Sequence, residues 1–99
     1  MLLSRVHLGH PEVEEIQPTW HCLLRFRQRV TLPSGTDAAI AALEAALAEA
    51  EITTRPPRGI AGRGDPSALW AVSGRHAFPL QPTGEPGVWV APTCLAGAR

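Results

Sequence analysis

The stretch from Trp20 to Ile52 constrains the fold most, because it joins a strictly alternating pattern of side chains to an Ala-rich amphipathic segment. From Trp20 to Leu32, every second residue is apolar except Gln28. A period of two sends successive side chains to opposite faces of a β-strand. We therefore predict a strand over 20–32. Its core-facing side chains would be Trp20, Cys22, Leu24, Phe26, Val30 and Leu32.

The opposite face of this predicted strand carries the arginines Arg25, Arg27 and Arg29. Residues two apart on a strand lie about 7 Å from each other, so each neighbouring pair repels by about 0.6 kcal/mol in water. Water tolerates that cost, and the simplest interpretation is a solvated or internally paired face. The sharper hypothesis is an anion-binding patch, because guanidinium groups bind carboxylates and phosphates bidentately. Three more arginines from a following loop would extend the patch: Arg55, Arg58 and Arg63.

The segment from Ala38 to Glu51 predicts an α-helix. Alanine has the highest helix propensity, and apolar residues recur at helical spacing along one stripe. These residues are Ile40, Leu43, Leu47 and Ala50. The segment with the preceding Asp37 is acidic and has no basic residue. We expect this thin helix to cover the apolar face of the sheet.

Shorter patterns fill the rest of the chain. We predict a brief strand over 2–8, one or two helical turns over 11–16, and further strands at 52–55, 67–74, 75–80 and 88–91. Pro79 lacks an amide hydrogen, so its strand should run along an edge or end there. Pro and Gly predict a mobile loop over 56–66, and 92–99 is expected to form a loose tail. Trp20, Trp70 and Trp89 each fall in a predicted strand and are expected at the heart of the core.

The fold class that these elements indicate is α+β. We expect residues 1–99 to form a single two-layer domain, with a four- to five-stranded, mostly antiparallel sheet and one Ala-rich helix on one face. A ferredoxin-like plait is the alternative. It requires a second long helix, for which the segment 11–16 is the only candidate.

Charge and composition narrow the classes of function. Nine basic and nine acidic side chains balance, although they lie in separate blocks, and this balance argues against a dedicated duplex-DNA binder. A chain without net charge also lacks repulsion against self-association. The absence of Lys, Asn and Tyr is typical of a GC-rich bacterial genome. We expect a cytoplasmic protein that does not enter membranes, because neither a signal pattern nor an apolar run of about 20 residues is evident.

Metal-binding and catalytic patterns are weak. His7, His10 and His21 are the candidate metal ligands, with Glu14 and Cys22 nearby in sequence, but their spacing matches no closed zinc site. We therefore expect no metal and no cofactor. The nucleophile pairs are Cys22 with His21 and Ser73 with His76. Each pair is expected to point to opposite faces of a strand, unless a bulge at Gly74 intervenes in the second, so no active site is assigned.

Three functions remain open at this point. The leading hypothesis is a non-enzymatic protein-binding module that self-associates, or serves as a small subunit or inhibitor of a larger assembly. The alternative is binding of single-stranded nucleic acid through the arginine-bearing sheet face and the basic loop, although Trp20 and Phe26 would then lie on the wrong face for base stacking. The third is a small enzyme of unknown reaction.

Overall fold

The computed structural model describes residues 3–29, 35–55 and 69–96, which form an α+β domain. Two helices and seven strands are present in these ranges. In chain order they are β1 (Val6–His7), β2 (Glu15–Pro18), α1 (Trp20–Arg29), α2 (Thr36–Ala48), β3 (Glu51–Thr53), β4 (Leu69–Ser73), β5 (His76–Pro82), β6 (Val88–Ala91) and β7 (Leu95–Ala96).

The strands form one mixed sheet. Six of them follow the order β1-β2-β6-β5-β4-β3, and β7 pairs with β5. Strands β2 and β6 are parallel, with Ile16 opposite Trp89, and the other pairings are antiparallel. The expectation of four to five mostly antiparallel strands therefore holds only roughly. The order of elements also differs from a ferredoxin-like plait, because α1 and α2 follow each other with no described strand between them.

The strand expected from Trp20 onwards is wrong, because the chain forms α1 over Trp20–Arg29. Thr19 is the N-cap of this helix: its hydroxyl oxygen accepts a hydrogen bond from the amide of Cys22 at 3.1 Å, and its carbonyl oxygen accepts the first intrahelical bond from Leu23. The buried side chains are Cys22, Leu23 and Phe26, a helical spacing rather than an alternating one. Val30 and Leu32 lie outside the described residues.

Helix α2 confirms the Ala-rich helix, which begins and ends slightly earlier in the chain than expected. Its buried residues Ala39, Leu43 and Leu47 pack into the same core cluster as the buried residues of α1. Helix α1 contacts α2 and β7, and α2 contacts β1 and β4. The described residues thus form two helices where one was expected, and both helices lie against the main core.

The core lies between these helices and one face of the sheet. Phe26 of α1 packs its ring edge-on against His76 at 5.5 Å between centroids and lies 6.3 Å from the ring of Phe78. The tryptophans do not form the heart of this core. Trp70 is buried in a second, smaller cluster with Ala77, Trp89 is half-buried, and Trp20 is 41% exposed.

Several segments differ from the sequence predictions. The helical turns expected over 11–16 are absent, because Glu15–Pro18 is extended as β2 and pairs with β1 and β6. Strand β5 is not an edge strand, since β4 lies on one side of it and β6 and β7 lie on the other. Pro79 itself pairs with Trp70 of β4 and falls between the residues that pair with β7 and those that pair with β6. The expected tail over 92–99 is described as far as Ala96: Cys94 is buried, and Leu95–Ala96 forms β7. The loop expected over 56–66 lies outside the described residues.

Candidate functional site

The candidate site is the outward side of α1, where two large apolar side chains meet water. Trp20 is 41% exposed and Leu24 is 56% exposed. They are four positions apart in sequence, so on a helix they are neighbours one turn apart. Among the described residues, they are the exposed large hydrophobic side chains of the domain, and they occur side by side.

Two arginines accompany this apolar pair. Arg25 and Arg27 are both exposed, and at 100° per residue Arg27 lies on one side of the Trp20–Leu24 line and Arg25 on the other. The guanidinium group of Arg25 donates a hydrogen bond to the Gln28 side-chain oxygen at 3.3 Å. No ion pair between described residues involves either arginine. We call the four residues Trp20, Leu24, Arg25 and Arg27 the α1 surface.

The six arginines expected to form one patch do not lie on one strand face, because Arg25 and Arg27 belong to α1. Arg25 and Arg27 no longer share one strand face, because they project about 160° apart around α1. Arg29 ends the helix, and Arg55 is exposed just after β3. Arg58 and Arg63 lie outside the described residues. Of the predicted site, the structure places Arg25 and Arg27 on one helix, at opposite margins of the Trp20–Leu24 pair.

Sequence reasoning missed Trp20 and Leu24 as surface residues. The alternating pattern assigned both to the core, together with Cys22 and Phe26. Two signals for a helix were nevertheless present. Residues 20–29 include no β-branched side chain, which is unusual for a strand, and Thr19 offers an N-cap directly before them.

The acidic groups of the domain lie mainly on α2 and in the region before α1. On α2, Asp37 is exposed and Glu44 is half-buried, and the exposed Glu49 follows the last turn. The ion pairs between described residues instead involve Glu15, which lies 3.9 Å from both Arg5 and His7. Arg25 and Arg27 of α1 therefore have no ion pair with the acids of α2 within the described part of the chain.

Within the described residues, the candidate metal ligands His7, His10 and His21 have separate surroundings. His7 lies beside Glu15, the Nδ1 atom of His10 accepts a hydrogen bond from the Glu12 amide at 3.0 Å, and His21 is exposed on α1. In the ranges that the structure describes, no three His, Cys, Asp or Glu side chains are grouped to hold a metal ion.

Two buried thiols do come together. Cys22 and Cys94 are both reduced and fully buried in the main core. Burial, and then the electrostatic effect of Cys94, raise the pKa of the Cys22 thiol well above its ordinary value of 9.0. A thiol that is buried and protonated is a poor nucleophile, so Cys22 has the character of a core residue.

The Ser73–His76 pair was placed incorrectly by the sequence. Gly74, at φ +60°, and Arg75 form a two-residue turn between β4 and β5. Ser73 and His76 are therefore opposite each other across the hairpin and share a face of the sheet.

Two grooves border the described residues at other places: one of about 240 Å³ borders Trp89, and one of about 270 Å³ borders His10. Both are smaller than the roughly 300–1,000 Å³ of ordinary ligand pockets.

Neither described helix has the length and apolar character that a membrane-spanning segment requires. Comparisons with protein-family models, with curated protein sequences and with solved structures give no match for this chain. The geometry of the α1 surface is therefore the basis on which a function can be proposed.

Proposed function

We propose that this protein is a non-enzymatic protein-binding module and that the α1 surface docks its partner. The observation that carries the proposal is the exposure of Trp20 and Leu24 on adjacent turns of one helix. Isolated exposed apolar residues are ordinary on protein surfaces, but here the exposed large hydrophobic side chains of the described residues lie next to each other.

The residue types support a protein partner. Trp and Arg are the side chains that most often dominate binding energy at protein interfaces, and an apolar centre with a charged margin is the usual interface anatomy. The α1 surface has this arrangement, with Leu24 and Trp20 at the centre and Arg25 and Arg27 at the margins. Helical docking of this kind uses anchors spaced by four residues.

Single-stranded nucleic acid is the second candidate, and one observation favours it. Trp20 shares an exposed surface with Arg25 and Arg27, so the objection that the aromatic ring faces away from the arginines no longer applies. A stacking platform usually combines several aromatic rings with a positively charged groove. The α1 surface has one such ring in a chain without net charge, and a protein partner is therefore the better supported function.

A site-specific photo-crosslinker tests the proposal. A benzophenone amino acid replaces Leu24 in the full chain, and in a matched control it replaces Thr83, which is exposed in the loop after β5. Both proteins are irradiated in an extract of the source cells and also in purified form. We expect discrete protein adducts from position 24 and few or none from position 83.

Three results distinguish the functions. Protein adducts confined to position 24 support the proposal. Adducts at position 24 that shift on nuclease treatment would transfer the function to nucleic-acid binding. Equal, diffuse labelling at positions 24 and 83 would show that the α1 surface has no partner and would overturn the proposal.

A further inference from the structure

We infer that the partner of the α1 surface is a second copy of this chain, and that the α1 surface of each copy docks on the outward face of α2 of the other. This inference rests on the proposed function and deepens it by naming the partner. Its basis is charge complementarity between two helices of the same domain. Helix α1 has arginines and no acid, whereas α2 has acids and no basic residue.

The outward face of α2 is suited in shape to receive Trp20 and Leu24. Its exposed residues are mainly small, and they run along the whole helix: Ala38, Ala41, Ala45 and Ala48. Because an alanine side chain is a single methyl group, a bulky ring and a leucine from another helix can approach the α2 backbone closely. Asp37 at the start of this face and Glu49 just beyond its end place carboxylates beside the alanines, and Glu44 is half-buried along one margin.

Between described residues, the charged side chains of these two helices form no ion pair. Within the described ranges, the ion pairs involve Glu15 and none involves Arg25, Arg27, Asp37, Glu44 or Glu49. Complementary groups are thus presented on neighbouring helices without meeting each other. Between two copies of the chain, the arginines of α1 can contact the carboxylates of α2 if α1 of one copy lies along α2 of the other.

The placement of the helices allows both contacts to form at once. Helices α1 and α2 touch each other and pack into one core cluster, so their outward faces belong to the same layer. A two-fold axis through this layer would place α1 on the partner's α2 and α2 on the partner's α1. Such an isologous interface is the commonest form of protein dimer.

The area available sets the strength of this dimer. Two adjacent helices about 15 and 20 Å long and about 10 Å wide offer roughly 350 Å² of outer surface per copy. A standard interface buries about 800 Å² per partner, so this one is at the weak end. We therefore expect a dissociable dimer that forms at micromolar to millimolar chain concentration.

Analytical ultracentrifugation of the full chain, from about 10 µM to about 1 mM, tests the inference. The wild type should change from monomer to dimer across this range. Leu24→Glu should raise the dimer dissociation constant at least about tenfold, as loss of a central anchor does. Glu85→Arg, a charge reversal in the exposed turn between β5 and β6, is the matched control and should leave this constant unchanged.

Charge exchange makes the test specific for α1 against α2. One variant carries Arg25→Glu with Arg27→Glu, and the other carries Glu44→Arg with Glu49→Arg. In a homodimer of either variant, α1 and α2 would carry charges of the same sign, so each variant alone should remain monomeric. Mixed in equal amounts, they should form a heterodimer, because both reciprocal contacts then pair opposite charges. Asp37 is kept because an acid at a helix N-terminus stabilises the helix.

The outcomes separate this inference from the proposed function. A wild type that stays monomeric to 1 mM, or a charge-exchanged pair that does not associate when mixed, overturns the inference. If position 24 then still crosslinks to other proteins, the α1 surface binds a different partner and the proposed function stands. Far-ultraviolet circular dichroism confirms that each variant is folded, so loss of the dimer is not loss of structure.

Discussion

The hydroxyl group of Thr19 donates a hydrogen bond to the carbonyl oxygen of Pro92 at 3.0 Å, across 73 positions of sequence. The hydroxyl oxygen of Thr19 also accepts a hydrogen bond from the amide of Cys22, and the Thr19 amide donates one to the Ala91 carbonyl oxygen at 3.2 Å. Thr19 therefore both caps α1 and attaches its first turn to the chain that follows β6. The orientation of the α1 surface depends on this residue.

Removal of the Thr19 hydroxyl should destabilise the domain. Thr19→Ala loses an N-cap and a long-range hydrogen bond, and we expect the free energy of unfolding to fall by about 1–2 kcal/mol. Thr19→Ser retains the hydroxyl and should lose less than half of that amount. Urea denaturation followed by tryptophan fluorescence measures both values. Equal losses for the two variants would show that the methyl group, rather than the hydroxyl, is responsible.

Truncation of Leu23 to alanine should cost much more stability than the same truncation of Leu24. Leu23 is 2% exposed and lies in the main core, so Leu23→Ala should lower the free energy of unfolding by about 2–5 kcal/mol. Leu24 is 56% exposed, and Leu24→Ala should change it by no more than about 0.5 kcal/mol at concentrations where the chain is monomeric. A strand over 20–32 would give the reverse order. Thermal and urea denaturation of the two variants therefore test the helix directly.

Cys22 should make the stability of the domain sensitive to alkaline pH. Because burial raises the pKa of this thiol in the folded state, the folded chain keeps its proton at a pH where the unfolded chain loses it. The stabilisation is fully present below the ordinary value of 9.0 and is lost as pH rises above it, at up to about 1.4 kcal/mol per pH unit.

Urea denaturation between pH 8 and pH 10 under reducing conditions measures this effect. Cys22→Ala has a lower starting stability, but its loss between pH 8 and pH 10 should be smaller than that of the wild type by about 1 kcal/mol. Parallel pH profiles for the two proteins would contradict the assignment, because they would show that the Cys22 thiol titrates equally in both states.

Gly87 should not tolerate a side chain. Its φ is +79°, a conformation that is strained for other residues, and a Cβ atom there would lie 3.0 Å from the Glu14 side chain. Its carbonyl oxygen also accepts the amides of Glu14 and Glu15. We expect Gly87→Ala to lower the free energy of unfolding by about 1–2 kcal/mol. Gly9 has open space around its Cα, so Gly9→Ala is the matched control and should be close to neutral.

The parts of the fold that the sequence predicted are those with a local signal. Helix α2 was identified from alanine content and the spacing of Leu43 and Leu47. Strands β4 and β5 were identified from apolar runs on both sides of Gly74. In each case the residues that define the element are close together in the chain, so propensity and periodicity were sufficient.

The elements that were predicted wrongly are those whose local pattern fits two structures or whose partner strand lies far away in the chain. In α1, Cys22 and Phe26 satisfy both a period of two and a helical spacing, and the buried Leu23 decides between them. For β2, the residues around Ile16 resemble a helical turn, and they are extended because β6 supplies parallel partners from the far part of the chain. Of the four residues of the α1 surface, the sequence singled out Arg25 and Arg27, whose role stays a prediction, whereas the exposure of Trp20 and Leu24 required the helix.

The parallel pairing of Glu15 with Val88 also has a consequence for the order in which the chain can fold during synthesis. At about 5–20 residues per second, Val88 leaves the ribosome's catalytic centre several seconds after Glu15. Until then β2 has only the two-residue strand β1 beside it, and an isolated hairpin is marginally stable. The nascent chain must therefore hold its first strands without their central neighbour, and α1, anchored through Thr19 to Pro92, can reach its final position only when translation has passed the last long strand.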